Sequence, residues 1–220
     1  MKTFGIGCGV VLLLLLFIVI IAALAISRSY NGLVNLQTDV DTKWADVQTQ
    51  YQRRLDLIPN LVSTVQGAAN FEKSTLVEVT NARASVGRVQ AQIDANKAPT
   101  DQAQIDKFQA AQGELGNALS RLLVVVERYP ELKANQNFLS LQAQLEGTEN
   151  RIAVARRNFN ESVQTYNATV RRVPTNIVAS MFGFPQRPFF TAQTGAERPP
   201  PVQFNFGTPA PAAPAATAAP

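Results

Sequence analysis

An uncharged apolar run near the start of the chain limits the possible folds more than any other feature. The run "FGIGCGVVLLLLLFIVIIAALAI" extends from Phe4 to Ile26. As a helix at about 1.5 Å per residue it is roughly 35 Å long, which is enough to cross the hydrocarbon core of a bilayer. A cleaved signal peptide is the alternative, because Ala23-Leu24-Ala25 resembles a cleavage site. A secretory apolar region is usually only about 7–15 residues long, so we predict that residues 1–28 are an uncleaved single-pass transmembrane anchor.

The charges that flank this run bear on its orientation in the membrane. Lys2 and the terminal amine precede it, and Arg28 and Lys43 follow it, so the positive charges on its two sides are nearly balanced. A middle region without cysteine fits an oxidising compartment. We expect a short cytoplasmic N-terminus and the remaining chain on the exported side of the membrane.

The residue types that are absent from the sequence exclude several kinds of site. The chain has no histidine, which excludes catalytic dyads built on imidazole and metal sites that need histidine ligands. Its one cysteine, Cys8, lies at the edge of the apolar run, with no second cysteine for a disulfide and no residue that would activate it. The sequence has no glycine-rich phosphate loop and no serine nucleophile elbow. We therefore predict a protein with no catalytic activity, no cofactor and no metal.

The distribution of charge argues against nucleic acid as a partner. The net charge is only +4, and basic and acidic residues are interspersed through the middle of the chain. Arginines cluster only as the pairs Arg53-Arg54, Arg156-Arg157 and Arg171-Arg172, without the interleaved aromatic residues of a nucleic-acid surface. Solvated helix faces explain these pairs, so we predict no nucleic-acid partner.

Four stretches in the middle of the chain have the apolar spacing of amphipathic helices, with steps of three and four residues. The first two stretches contain Leu33, Val40, Trp44, Val47, Tyr51, Ile58, Val62 and Val65, and Leu76, Val79, Ala82, Val86, Val89 and Ile93. The last two contain Ile105, Phe108, Leu115, Leu119, Leu122, Val126 and Tyr129, and Leu145, Ile152, Phe159 and Tyr166. The connections are short, which predicts an all-α fold: an antiparallel four-helix bundle over residues 29–175, preceded by the transmembrane helix. One continuous coiled coil is excluded, because its heptads would have to pass through Pro99 and Pro130.

Pro59 lies inside the first stretch and leaves two paths for the chain. The apolar positions continue in phase across the proline, which favours one helix with a kink or a short break. The alternative is a full reversal of the chain, in which Asp56 caps a new helix.

The ends of the later helices carry recognisable signals. Asp101 and Gln104 form an acidic version of a capping box at the start of the third helix, and Pro130 ends that helix. The fourth helix is predicted to begin near Asn135 or Asn137 and to end at about Arg172, before Pro174.

The fourth stretch combines the packing pattern of a core helix with many polar residues. Its large apolar residues recur every seven positions, and a small residue follows three positions after each. Asn160 and Asn167 are also seven apart and adjoin this stripe, where buried amides can fix the register between helices. Most of the polar residues are interpreted as structural, and the alternative is a recognition face. The candidate partner-binding residues are Glu149, Arg151, Arg156, Arg157 and Asn160, together with Phe182 and Phe184 from the following segment.

Two further segments follow the predicted bundle. Residues 176–206 mix prolines with six phenylalanines and are predicted to pack over the bundle surface, the alternative being an aromatic docking patch for a membrane interface or a partner. Residues 207–220, "GTPAPAAPAATAAP", are rich in proline and alanine and are predicted to form a disordered tail.

Three stretches of the sequence are specific enough to compare with a known family: "YNGLVNLQTDVDTKWADVQTQYQRRLDLIPNLVSTVQGAANFEKSTLVEVTNAR", "FLSLQAQLEGTENRIAVARRNFNESVQTYN" and "VPTNIVASMFGFPQRPFF", which together cover about Tyr30 to Phe190. They resemble the LemA family of bacterial membrane-anchored proteins. The resemblance implies an N-terminal anchor in the bacterial cytoplasmic (inner) membrane, followed by an antiparallel helical bundle. It supplies no catalytic residues, and the tail beyond Gly207 lies outside the shared pattern.

Taken together, these features favour a membrane-anchored helical scaffold that binds a protein partner. The alternative is a membrane-tethered sensor that binds a lipid or a small molecule in a groove of the bundle, under the segment from Phe182 to Phe190. A third alternative is a membrane-linked enzyme, which would need a pocket with strongly perturbed carboxylates.

Overall fold

The computed structural model describes residues 2–67, 72–94 and 97–191, with side chains from residue 12 onwards. These residues form six helices and no strand, which confirms the predicted all-α fold. The helices are α1 (Lys2–Gln66), α2 (Lys73–Ala91), α3 (Gln102–Val126), α4 (Pro130–Lys133), α5 (Gln136–Val170) and α6 (Thr175–Phe182). The side chain of Cys8 and the predicted tail, residues 207–220, lie outside the described residues, as do residues 192–206.

Helix α1 contains both the apolar run and the first amphipathic stretch. Its large apolar side chains from Leu12 to Leu24 are about half exposed or more, whereas Leu33 is the first that is completely buried. From there the buried positions follow the predicted three- and four-residue steps as far as Val65. The structure therefore has no break between the apolar run and the first helix of the bundle.

Pro59 does not interrupt α1. A proline has no N–H, so the carbonyl of Leu55, four residues earlier, lacks its usual helical donor. Arg83 of α2 supplies one instead, because its Nε donates to the Leu55 carbonyl oxygen at 3.2 Å. The chain therefore continues in one direction through the proline, and the alternative of a reversal at Asp56 is not adopted.

Helices α1, α2, α3 and α5 are the four predicted stretches, and two buried clusters show that they alternate in direction. The first cluster joins the C-terminal part of α1 to α2, the second half of α3 and the start of α5. The second cluster joins the part of α1 from Leu33 to Tyr51 to the start of α3 and the second half of α5. Each helix therefore runs opposite to the one before it along the chain, as predicted for an antiparallel bundle. We call the end of the bundle beside the apolar run the proximal end, and the opposite end the distal end.

The helix ends follow the local signals with small differences. The Asp101 carboxylate accepts from the Ala103 N–H at 3.0 Å and caps α3. Asn135 caps α5, because its side-chain oxygen accepts from the N–H groups of Asn137 and Phe138. Pro130 follows the end of α3 but also begins the single turn of α4, where its missing N–H costs nothing.

The chain returns to the proximal end of the bundle in α5 and remains there in α6. Val178 and Ala179 of α6 are buried in the second cluster. Gly183 ends the helix with φ of 73°, a left-handed conformation that a residue without Cβ adopts at no steric cost. Residues 184–190 then continue without regular secondary structure, and we call them the extended segment.

Candidate functional site: the clasp around the extended segment

Two asparagines of α5 bind the backbone of the extended segment. Asn167 donates from Nδ2 to the Arg187 carbonyl at 2.8 Å and accepts from the Arg187 N–H at 2.8 Å. Asn160 makes the same two bonds with Phe190, each at 2.9 Å. Each amide thus pairs with the segment as a neighbouring β-strand would, through one donor and one acceptor.

The spacing of the two asparagines explains why both bind at once. Seven residues along an α-helix cover about 10.5 Å. Three residues of extended chain, the separation of Arg187 and Phe190, cover about 10 Å. Because the two repeats match, one helix face can hold two points of the segment without distorting either. The seven-residue repeat was expected to fix register between helices, and in the structure it fixes the register of the segment on α5.

Phe190 anchors the end of the segment in an aromatic cluster. Its ring centroid lies 6.0 Å from that of Trp44, 5.5 Å from that of Phe159 and 6.5 Å from that of Phe108. The Arg156 guanidinium carbon lies 4.7 Å from the ring centroid of Phe190, a cation–π geometry. Phe190 is therefore enclosed by α1, α3 and α5 and covered by a cation. We call these contacts, with the two asparagine pairs, the clasp.

A buried arginine joins the segment to the connection between α2 and α3. Arg187 is only 7% exposed, and its Nη1 donates to the Ala98 carbonyl oxygen at 2.8 Å. The N–H of Ala98 in turn donates to the Asp41 carboxylate of α1 at 2.8 Å. One residue of the connection is therefore held from both sides, by a cation of the segment and by an anion of α1.

Two buried tyrosines lie close to these contacts. Tyr166 donates from its hydroxyl to the Pro185 carbonyl oxygen at 3.0 Å. Burial raises the pKa of Tyr166, and the positive charge of Arg187 offsets part of the rise. Burial also raises the pKa of Tyr51, against the opposing charges of Arg156 and Arg54. Both phenols therefore remain neutral hydrogen-bonding groups at physiological pH.

The structure distributes the predicted partner-binding residues over different environments. Asn160 and Arg156 belong to the clasp, while Arg151 and Arg157 are exposed on α5. Glu149 lies 3.0 Å from the Nε of Arg54, whose side chain is buried. A role in partner binding stays a prediction for each of these residues.

The two phenylalanines in the same prediction also differ. Phe184 is buried and Phe182 is half exposed, although both contact Tyr30 of α1, with ring centroids 5.6 Å and 5.1 Å from its own. Of the two, only Phe182 is available to a partner.

Sequence reasoning did not identify Arg187 as a central residue of the clasp. It stands between Gln186 and Pro188 in an irregular segment, where no periodicity marks a residue as buried. The only signal was the seven-residue spacing of Asn160 and Asn167, which indicated that a chain segment or helix with a matching repeat packs against them.

These elements define the class of protein. It is an all-α protein in which a helical bundle, closed by a clasped C-terminal segment, continues from a helix that is long and apolar enough to cross a membrane. That property rests on length and composition alone, and a signal sequence near an N-terminus shares it.

Comparison with known proteins gives the family. The model of the LemA family matches residues 43–204, so this chain belongs to the LemA family. Among similar proteins are Magnetosome protein MamQ of Magnetospirillum gryphiswaldense, 27% identical over 183 residues, and Magnetosome protein MamQ 2 of Paramagnetospirillum magneticum, 27% identical over 192 residues. Each alignment covers 77% of this chain and 67% of the relative. Protein LemA of Metamycoplasma hominis is 25% identical over 149 residues, which are 68% of this chain and 63% of that protein.

Proposed function

We infer that this protein is a single-pass, membrane-anchored helical scaffold of the bacterial cytoplasmic membrane, without catalytic activity, whose bundle on the exported side binds a protein partner. The observation that carries the proposal is the continuity of α1, which contains both the exposed apolar run and the first helix of the bundle core. From Ile26, the last residue of the run, to the buried Leu33 the helix advances only about 10 Å. A bundle so attached is held close to the membrane surface by a helix instead of a flexible linker.

Membership of the LemA family and the long apolar helix support a membrane-anchored scaffold. Two relatives are named as magnetosome proteins.

The sensor alternative gains no support from the groove under the extended segment. Phe184, Arg187 and Phe190 of the segment are themselves buried there. A lipid or metabolite in that groove would first have to displace the segment and break the four asparagine bonds. We therefore favour the scaffold.

The first experiment tests the anchor. The full chain is expected to remain in the membrane pellet after alkaline carbonate extraction and to keep its own N-terminus. Leu16→Arg with Ile20→Arg should move protein to the soluble fraction, since each central arginine costs about 2.5–3.5 kcal/mol on insertion scales. Leu16→Ala with Ile20→Ala is the matched control and should stay in the pellet. A soluble protein whose N-terminus follows Ala25 would contradict the proposal.

The second experiment tests orientation and the partner. A reporter that is active on only one side of the membrane, fused after Phe206, should be active on the exported side. Capture of the crosslinked full chain from solubilised membranes should recover specific proteins, and Arg151→Ala with Arg157→Ala should reduce that recovery more than Arg88→Ala, an exposed arginine of α2. Recovery of no protein after crosslinking would remove the support for a scaffold.

A further inference from the structure

An exposed apolar stripe lies on α6 and on the turn that precedes this helix. Val173, Ile177 and Met181 are 80%, 57% and 68% exposed. Ile177 and Met181 are four residues apart within α6, which places their side chains on one helix face, and Val173 lies in the turn before the helix. Val178 and Ala179, on a different side of α6, are buried against the bundle. The stripe is therefore not the core-facing side of an amphipathic helix but a second apolar face, directed away from the bundle.

This face lies at the proximal end of the bundle. Phe182, at the end of α6, is 51% exposed and packs against the ring of Tyr30 on α1 at 5.1 Å. Tyr30 is only four residues beyond Ile26, so one turn of helix, about 6 Å, separates it from the end of the apolar run. If the run fills the hydrocarbon core, Tyr30 and Phe182 lie at the depth of the lipid headgroups, where aromatic residues are enriched.

The charges that flank the stripe along the chain are positive. The part of the proximal end nearest the apolar run, residues 26–38 of α1 and residues 162–190, contains no aspartate or glutamate, and the first acidic residues outside these ranges are Asp39 and Glu161. Asp39 accepts a hydrogen bond from Ser162, farther from the apolar run than Tyr30. Arg28, Arg171 and Arg172 are exposed in these ranges. An apolar face bordered by exposed arginines is the composition of helices that lie in the interface of an anionic membrane.

We propose that α6, with Phe182 and Tyr30, docks into the headgroup region of the membrane that the anchor crosses, with Arg28, Arg171 and Arg172 on anionic lipid phosphates. The inference depends on the proposed anchoring, because the anchor fixes the depth of Tyr30. The partner is the bilayer surface itself. Docking would give the bundle a second attachment point and so fix its tilt, which one helix alone leaves free.

The test measures the depth of single positions in the full chain. Cys8→Ser removes the only cysteine, and Met181→Cys, Val124→Cys or Ile20→Cys then introduces one site for an environment-sensitive fluorophore. Val124, of α3, is the matched control. It is 67% exposed, against 68% for Met181, but it lies towards the distal end of the bundle, beside residues of the first buried cluster. Each labelled protein is reconstituted into phosphatidylcholine vesicles that contain spin-labelled lipid, with and without phosphatidylglycerol.

Spin-labelled lipid should quench the label at position 181 severalfold more than the label at position 124, with a blue-shifted emission. The label at position 20 should be quenched in every vesicle. Equal, weak quenching at 181 and 124 with strong quenching at 20 would overturn the docking while leaving the anchor intact. Absence of quenching at 20 would overturn the anchor instead, so the two failures are distinguishable.

A charge variant tests the arginines separately. Phosphatidylglycerol should increase the quenching at position 181, and Arg171→Gln with Arg172→Gln should return it to the level seen without that lipid. Arg53→Gln with Arg88→Gln, exposed arginines of α1 and α2 that are distant from the apolar run, is the control and should leave the quenching at position 181 unchanged. Quenching at 181 that is independent of phosphatidylglycerol and of Arg171 and Arg172 would overturn the contact with lipid phosphates.

Discussion

Asn167 and Arg187 exchange two hydrogen bonds, one in each direction between the side-chain amide of the first and the backbone of the second. Both residues are buried, at 8% and 7% exposure. The backbone groups of Arg187 therefore have no water to replace the amide if it is lost. This pair is the part of the clasp whose removal should cost the most.

Asn167→Ala is expected to lower the free energy of unfolding by about 2–6 kcal/mol, because it leaves both the N–H and the carbonyl of Arg187 unpaired and each such buried group costs about 1–3 kcal/mol. Urea unfolding of the full chain in detergent, followed by Trp44 emission, measures the change. Trp44 is the only tryptophan, so its emission reports the bundle and not the anchor. Asn158→Ala, at an exposed position of the same helix, should change the stability by less than about 0.5 kcal/mol. Equal effects of the two substitutions would show that the clasp adds no stability.

Phe190→Ala should destabilise the bundle by about 3 kcal/mol, since it removes a buried ring and leaves a cavity among aromatic side chains. Water then reaches Trp44, whose ring stacks on Phe190, so its emission should shift to the red. Phe189→Ala is the control at the adjacent position, where the ring is 37% exposed and the cost should be under about 1 kcal/mol. An unshifted Trp44 emission in Phe190→Ala would contradict the enclosed position of the ring.

Pro59 and Arg83 are expected to be energetically coupled through the carbonyl of Leu55. Arg83→Ala should cost about 1 kcal/mol in the natural chain, where it deprives that carbonyl of its donor. In a Pro59→Ala background the new N–H at position 59 can bond to Leu55, so the same substitution should cost less by about 1 kcal/mol. The four free energies of unfolding in this double-mutant cycle measure the coupling. Arg88→Ala, on the same helix as Arg83, is the control, and its effect should add to that of Pro59→Ala. If the effect of Arg83→Ala also added to that of Pro59→Ala, Arg83 would not be the substitute donor to the Leu55 carbonyl.

Stability should fall at alkaline pH through Tyr51 and Tyr166. Burial raises the pKa of both phenols above the ordinary value of 10.0, so the folded state holds their protons more tightly than the unfolded state does. Their contribution is complete below about pH 10 and is lost as the pH rises through the raised pKa values. Urea midpoints measured from pH 8 to 11 should decline less steeply in Tyr166→Phe than in the natural chain. Asn167→Ala weakens the same segment without removing a titrating group, so its decline should remain as steep.

The sequence predicted the helices well because their cause is local. The three- and four-residue steps of apolar residues, the caps at Asp101 and Asn135, and the phase across Pro59 each depend on residues within a few turns of one another. The same reasoning indicated four stretches and short connections, which leave few arrangements other than an antiparallel bundle. It did not indicate that the apolar run and the first stretch form one helix.

The site was predicted only in part, since its contacts join distant parts of the chain. Asn160 was a candidate, but its partner Phe190 is 30 residues away in the sequence. No repeating pattern between the two residues predicts that they are in contact. Arg187 reaches Ala98 across 89 residues, and Asp41 reaches the same residue from the other side. Arg156, a candidate for a recognition face, lies over the buried ring of Phe190, a contact that the sequence did not indicate.

The helices, their alternation and the apolar run follow from local spacing, because that spacing sets which face of a helix avoids water. Which polar residues of α5 hold the extended segment became evident only from the packed fold. An irregular segment has no internal pattern, and its place is set by the few amides, rings and charges that meet it once the helices have packed.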